Sequence, residues 1–113
     1  MPFDQGLATR LEYVVTECFS GIDGFCETRM MGGFGYMLHG HMCMGIHRDT
    51  LIVRVGVEAA QSLLEEPYVR PMDLTGKVMK GWATILPEAM VEDKALVRYC
   101  RMAVDFVLGL PEK

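Results

Sequence analysis

The stretch from Thr28 to Val55, TRMMGGFGYMLHGHMCMGIHRDTLIVRV, carries most of the structural information in this chain. Apolar residues, many of them methionine, are interspersed in it with glycines at positions 32, 33, 35, 40 and 45. His39-Gly40 and Arg48-Asp49 have the composition of tight hairpin turns, and Leu51–Val55 alternates between the two sides of a strand. The stretch therefore predicts three antiparallel strands joined by two turns, the first running from about 27 to 38 with a bulge at its glycines.

Helical patterns and two more strands surround this region. Apolar residues recur at helical spacing over residues 4–20, with Cys18 on the buried side, and a short helix is predicted over 58–66. Strands at 68–73 and 78–86 precede a final helix that begins near Asp93. The order α-β(3)-α-β(2)-α predicts a single α+β domain, residues 1–113, with two layers: a mainly antiparallel sheet and helices on one face.

The composition is that of a globular protein. Of 113 residues, 50% are hydrophobic and 23% are charged, and no apolar run reaches the roughly 20 residues of a membrane span. The N-terminus has no basic start before an apolar block, so we expect no secretory signal and a cytoplasmic location. The formal net charge is −4 and the basic residues are dispersed, which disfavours direct binding to nucleic acid.

Neither the cysteines nor the glycines form a reaction centre. The four cysteines lack Cys-x-x-Cys spacing, which argues against a zinc knuckle or a redox pair. Cys18, Cys43 and Cys100 lie among apolar residues and are predicted to be buried thiols. Apolar surroundings raise the pKa of a thiol, so a Cys-His nucleophile at Cys43 is disfavoured and no catalytic residue is predicted. The glycines of 32–35 lack the following helix and the Gly-Lys-Ser/Thr ending of a phosphate-binding loop.

Several motifs, taken in order, resemble those of the TfoX (Sxy) N-terminal domain family. Residues 30–33 are similar to its Met-Phe-Gly-Gly hallmark, with Met31 where the family usually has phenylalanine. The hairpin glycines, the strand Leu51–Val55 and the run Met79-Lys80-Gly81-Trp82 follow, and the resemblance covers about residues 7 to 110. The motif positions, to which we assign a structural role, are Met30, Met31, Gly32, Gly33, Gly35, Gly40 and Gly45.

The resemblance implies a fold similar to secretion-chaperone-like domains, which often dimerise. It implies no catalytic residues and no cofactor. The best-known members regulate natural competence together with the cyclic-AMP receptor protein at promoters, and they carry a second, C-terminal domain. Because this sequence ends at Lys113, we expect a stand-alone single-domain member, and the competence role does not transfer directly.

The hairpin around Gly40 also contains soft metal ligands. Imidazole, thioether and thiolate groups together select Cu(I), and the cluster consists of His39, His41, Met42, Cys43 and Met44. Strand alternation places Met42 and Met44 on one side and Cys43 on the other, and methionine commonly fills cores. We therefore predict no metal site, and a small-molecule or copper-binding protein remains the alternative function.

Three cations and one tryptophan are candidates for contact with a partner protein: Arg54, Arg70, Lys80 and Trp82. If their strands are neighbours, an open sheet face presents cations beside an aromatic ring, which suits the carboxylates of a partner. The other interpretation is an ordinary polar outer face with a surface tryptophan. The leading hypothesis is a non-enzymatic regulatory module that acts through protein contacts, possesses no cofactor and forms a homodimer.

Overall fold

The chain folds as one antiparallel sheet whose helices all pack on the same side. The computed structural model describes residues 4–30, 33–73 and 76–111, with the backbone alone at Met30. The elements within these residues are α1 (Gln5–Tyr13) continued by a π-helical turn (Val14–Cys18), β1 (Phe25–Met30), β2 (Gly33–Leu38), β3 (His41–His47), β4 (Thr50–Arg54), α2 (Val57–Leu63), β5 (Val69–Pro71), β6 (Trp82–Ile85), a 3-10 turn (Pro87–Met90) and α3 (Asp93–Leu108).

The strand order is β1-β2-β3-β4-β6-β5, and every neighbouring pair is antiparallel. The predicted α+β class and the antiparallel sheet are confirmed. The strand count differs, because the segment predicted as one bulged strand over 27–38 forms two strands, β1 and β2. Met30 pairs with Gly33, so the chain reverses direction between them, and residues 31 and 32 lie outside the described part of the chain. The order is therefore α-β(4)-α-β(2)-α.

The main core lies between the helices and one face of the sheet. Leu51 and Val53 of β4 point into it and are fully buried, as their alternation predicts. The buried residues of α3 are Leu96, Tyr99, Cys100, Ala103, Val104 and Val107. Full burial of one large apolar side chain contributes about 1.5–3 kcal/mol, so this face supplies most of the driving force for folding. Within the described residues, no helix is long and apolar enough to cross a membrane.

The π-helical turn after α1 changes which cysteine is buried. Leu7 and Leu11 face the core at α-helical spacing. The wider turn at Val14–Cys18 then adds a residue to the repeat, so Phe19 is buried in place of Cys18, which is exposed. The predicted burial of Cys18 is therefore wrong, whereas Cys43 and Cys100 are buried as predicted.

A second, smaller cluster lies on the outer face of the sheet. Ile52 projects there from β4 and packs with Met72 and Trp82, which are both buried. The connection between β5 and β6 covers this cluster, since the amide of Met79 donates a hydrogen bond to the carbonyl of Met72 at 2.8 Å. The outer face is thus partly covered, where the sequence predicts it to be open.

The strand predicted from residue 78 begins only at Trp82, and Gly81 explains the delay. Its φ of 87° lies in the left-handed region, which interrupts an extended strand. Its carbonyl accepts hydrogen bonds from the amides of both Val55 and Gly56, at 2.9 and 3.0 Å. Because two consecutive amides share one carbonyl, the regular strand pairing ends at Gly81. Residues 78–81 therefore lie outside the sheet and form part of a groove.

A polar contact joins the end of α2 to α3. The carboxylate of Glu66 accepts a hydrogen bond from Arg98 at 2.7 Å and one from the hydroxyl of Tyr99 at 2.6 Å. The hydrogen bond from Arg98 is the main reason that the pKa of Glu66 lies below its ordinary value, and the bond from Tyr99 acts in the same direction. The contact ties the segment that follows α2 to α3.

Replacing Glu66 with glutamine is expected to lower the free energy of unfolding at pH 7 by about 0.5–1 kcal/mol, a figure reduced for partial exposure. The lowered pKa means that the ionised carboxylate stabilises the fold above its ordinary pKa, and that this contribution is lost as the pH falls through the lowered value. The deficit of E66Q should therefore shrink in acid, as measured by urea unfolding at pH 7 and at about pH 3. The exposed neighbour Glu65→Gln is the control; an equal loss in that variant would contradict a specific contact.

Candidate functional site

A groove of about 250 Å³ lies between α2 and the connection that precedes β6. The side of α2 facing it carries Val57, Ala60, Gln61 and Leu64. Pro71 at the end of β5 and the segment Val78–Trp82 form the opposite wall. This set of residues is called the α2 groove below.

Exposed apolar side chains line the α2 groove. Val57 is 50% exposed, Leu64 40% and Val78 63%. These three residues approach one another from two separate segments of the chain, which makes a shared apolar surface rather than isolated exposed residues. Surfaces of this kind commonly mark contact sites for other proteins or ligands.

Two of the four predicted partner-binding residues lie in the α2 groove. Trp82 forms part of its base; it is only 8% exposed because its ring packs on Ile52 and Met72. Lys80 is exposed on the rim, and the described residues give it no ion pair or hydrogen bond. The groove therefore combines apolar walls, the edge of an aromatic ring and a cation.

The other two predicted residues lie elsewhere. Arg54 pairs with Trp82 in the β4–β6 register, so their strands are neighbours as the prediction required. Its guanidinium carbon nevertheless lies 5.9 Å from the centre of the Phe106 ring on α3, which engages the cation within the fold. Arg70 is exposed on β5 opposite Thr84 and does not line the groove. The four side chains therefore form no single cationic patch.

A larger cavity, about 440 Å³, lies between α1 with its π-helical turn and the start of α3. Its two central polar groups already bind each other, because Arg10 and Asp93 form an ion pair at 3.0 Å. Arg10 also donates a hydrogen bond to the carbonyl of Met90 at 2.7 Å. The larger cavity also carries the exposed Lys94, for which the described residues give no ion pair or hydrogen bond, so an unengaged cation does not separate the two sites. We take the α2 groove as the candidate because two of the four predicted partner-binding residues, Lys80 and Trp82, line it.

The residues of the predicted copper alternative are divided among different environments. The ring of His39 contacts the carbonyl of Asp23 at 3.0 Å, and that of His41 contacts the carbonyl of Pro111 at 2.6 Å. Cys43 and Met44 are fully buried in the main core, whereas Met42 packs against the outer cluster.

A bulge explains this arrangement. Tyr36 pairs with Met44 and Met37 with Met42, so Cys43 is an extra residue in β3 and points to the same side as Met44. The predictions that Met42 and Met44 share one side of the sheet and that Cys43 faces the other are therefore both wrong. In residues 4–30, 33–73 and 76–111, no group of three or more histidine, cysteine or carboxylate side chains is arranged to hold a metal ion.

Burial controls the acidity of the two core thiols. It raises the pKa of Cys43 to about 12, against a smaller lowering effect of the Arg54 charge. Burial also raises the pKa of Cys100, and the nearby thiols act in the same direction. Both thiols are therefore protonated near neutral pH, and a protonated thiol is a poor nucleophile and a poor metal ligand.

Four apolar residues that line the α2 groove were absent from the sequence-based candidates: Val57, Ala60, Leu64 and Val78. Val57, Ala60 and Leu64 recur at helical spacing, a detectable apolar stripe in which Ala60 is buried and the other two are exposed. Val78 gave no usable signal, because its exposure depends on the turn at Gly81 that removes it from β6.

Residues 17–107 match the family model of the TfoX N-terminal domain. The match covers most of the chain, and this protein belongs to that family. Neither the curated proteins nor the solved structures give a match.

The family glycines that the structure describes occupy the β1–β4 meander. Gly35 pairs with Gly45 between β2 and β3, and Gly40 forms the hairpin turn with φ of 83° beside His39 at 52°. These positive angles at both central residues are those of a type I′ turn. Met31, Gly32 and the side chain of Met30 lie outside the part of the chain that the structure describes.

Thiol labelling tests the assigned burial. Cys18 and Cys26 are exposed and should react with an aromatic disulfide reagent within minutes at about pH 8, whereas Cys43 and Cys100 should react only as fast as the protein unfolds. The double variant C18S/C26S should lose the rapid phase completely. Rapid labelling of a third thiol in folded protein would contradict the burial of Cys43 or Cys100.

Proposed function

We propose that this protein is a non-catalytic, cytoplasmic regulatory module that binds another protein through the α2 groove. The observation that carries the proposal is the convergence of Val57, Leu64 and Val78 around the buried Trp82, next to Lys80. An apolar segment that fills such a groove removes these side chains from water, at about 25 cal/mol per Å² of apolar surface buried.

Charge favours a protein partner over nucleic acid. Lys80 is suited to a carboxylate beside the apolar contact, so the partner segment is expected to combine large apolar residues with an aspartate or glutamate. The net charge of −4 repels a phosphate backbone, which proteins usually approach with a basic face. A regulatory role in transcription is therefore proposed to operate through a DNA-bound or polymerase-bound protein.

Family membership supports a choice of first partners. The best-known members of the family act with the cyclic-AMP receptor protein at promoters, so purified cyclic-AMP receptor protein and RNA polymerase are the two proteins to test first. A selection from a random peptide library would define the preferred segment independently of either candidate.

Val78→Asp is expected to weaken partner or selected-peptide binding at least tenfold, because it places a carboxylate in the apolar wall and beside the partner's own acid. Val91→Asp is the matched control, since Val91 is 80% exposed and lies outside the α2 groove. Both variants should keep the wild-type melting temperature. Binding would be measured by fluorescence anisotropy or surface plasmon resonance with the purified proteins.

Two results would contradict the proposal. One is equal binding by V78D and V91D, which would place the contact elsewhere. The other is tight, salt-sensitive binding of duplex DNA by the isolated protein, which would indicate direct phosphate contact.

A further inference from the structure

The two edges of the sheet differ in their capacity to pair with another strand. β5 has three residues and ends in Pro71, which lacks an amide hydrogen; short edge strands and proline are common means of preventing association. β1 has six residues, Phe25–Met30, without proline, and it is the terminal strand at the other end of the sheet. Its Cys26, Glu27 and Arg29 are exposed.

The hairpin between β2 and β3 determines which backbone groups of β1 point outward. Leu38 and His41 close a two-residue turn, so Leu38 directs its amide and carbonyl groups towards β3. Alternation then directs those of Gly35 and Met37 towards their β1 partners, Thr28 and Cys26. The amide and carbonyl groups of Glu27 and Arg29 consequently point away from the sheet.

A contact at the end of this strand pair agrees with the assignment. The amide of His39 donates a hydrogen bond to the carbonyl of Gly24 at 3.2 Å, so position 24 faces β2, as the even-numbered positions 26 and 28 do. The carbonyl of Glu27 accepts a long contact from Cys26 Sγ at 3.7 Å, and that of Arg29 accepts one from Thr28 Oγ1 at 3.4 Å. A carbonyl oxygen has two lone pairs, so the backbone groups of Glu27 and Arg29 can still pair with a new strand.

We propose that β1 pairs antiparallel with β1 of a second copy of this chain, with Thr28 opposite Thr28 at the two-fold axis. In this register Glu27 lies opposite Arg29 of the second copy, and Arg29 lies opposite its Glu27. Both pairs exchange amide-carbonyl hydrogen bonds through the outward-facing groups, and their side chains lie on the same face of the continuous sheet.

Charge selects this register over its neighbours. The two-fold axis can move along β1 only in steps of one residue. An axis between two residues would place a side chain on one face of the sheet opposite a side chain on the other face, which a continuous sheet does not allow. An axis at residue 27 places two glutamates opposite each other, and an axis at residue 29 places two arginines opposite each other. Like charges directly opposite destabilise a strand pair, whereas opposite charges stabilise it, so the axis at Thr28 is the favoured one.

The residues around β1 are compatible with this partner. The described structure gives Glu27 and Arg29 no intramolecular salt bridge, so neither must give up such a contact. Each copy carries a net charge of −4, and this general repulsion opposes the local attraction. The association is therefore expected to be reversible and concentration-dependent. It does not depend on the α2 groove, which lies near the opposite edge of the sheet.

Charge reversal tests the register. By symmetry, Glu27→Arg converts both ion pairs into arginine-arginine contacts, and Arg29→Glu converts both into glutamate-glutamate contacts. Each single variant should raise the dimer dissociation constant at least tenfold, and the double variant E27R/R29E should return it to within about threefold of wild type. Sedimentation equilibrium over a range of concentrations measures all four proteins, and circular dichroism confirms that each is folded.

A crosslink tests the axis directly. Residues that face each other in a non-hydrogen-bonded antiparallel pair have Cα atoms about 4.5 Å apart, which lies within the range that a disulfide spans. In the C18S/C26S background, Thr28→Cys should therefore form a covalent dimer under mild oxidation, whereas Arg70→Cys at the other edge should not.

Three outcomes would overturn the proposal. The first is a wild-type protein that stays monomeric at every concentration. The second is a dimer whose dissociation constant is the same in wild type, E27R and R29E. The third is a dimer in which T28C fails to crosslink or R70C crosslinks equally well. The two proposals can fail separately. Unchanged partner binding in V78D would contradict the α2 groove without affecting the β1 dimer, and failure of the β1 dimer would not affect binding through the α2 groove.

Discussion

Burial of one face of the sheet beneath α3 is the interaction on which the rest of this structure depends. β2, β3 and β4 each contact α3, and the inward row of β4 is completely excluded from water. Within residues 4–30, 33–73 and 76–111, α1, α2 and α3 all contribute to this one core, and none of them covers the outer face. Every surface that we consider for function follows from this one-sided arrangement, because an antiparallel sheet tolerates an exposed face only where its side chains permit it.

Part of the outer face is too apolar to remain exposed to water. Ile52 and Trp82 place two large apolar side chains there, and the β5–β6 connection folds back to cover them through Met72 and Met79. This cover is incomplete because the turn at Gly81 holds residues 78–81 away from the sheet. The α2 groove is the gap between that cover and α2, which explains why a buried tryptophan and exposed valines adjoin each other.

Sequence periodicity predicted the elements whose backbone is regular. The His39-Gly40 turn, β4 and the start of α3 at Asp93 lie where the pattern placed them. Periodicity gave wrong burial where one extra residue shifts the repeat of buried positions. This happens at the π-helical turn before Phe19 and at the extra Cys43 in β3. Neither irregularity has a signal in the composition, since both are set by packing against the core.

The candidate site was only partly predicted, because residue type can be read from the sequence and tertiary contacts cannot. Lys80 and Trp82 were identified by residue type, whereas the diversion of Arg54 to Phe106 and the exposure of Val78 depend on tertiary contacts.

The positions of the two proposed contact surfaces have a consequence for how they would work together. In the strand order β1-β2-β3-β4-β6-β5, the free edge of β1 and the α2 groove are at opposite ends of the sheet. Pairing through β1 would place twelve strands in one sheet with a groove near each end, about 50 Å apart at the usual strand spacing. Two grooves fixed at that separation favour a partner that presents two segments, such as a symmetric dimer on DNA, because binding of the first segment raises the effective concentration of the second. If both proposals hold, a weak groove contact would be sufficient for tight binding of a dimeric partner, and a monomeric partner would be bound weakly.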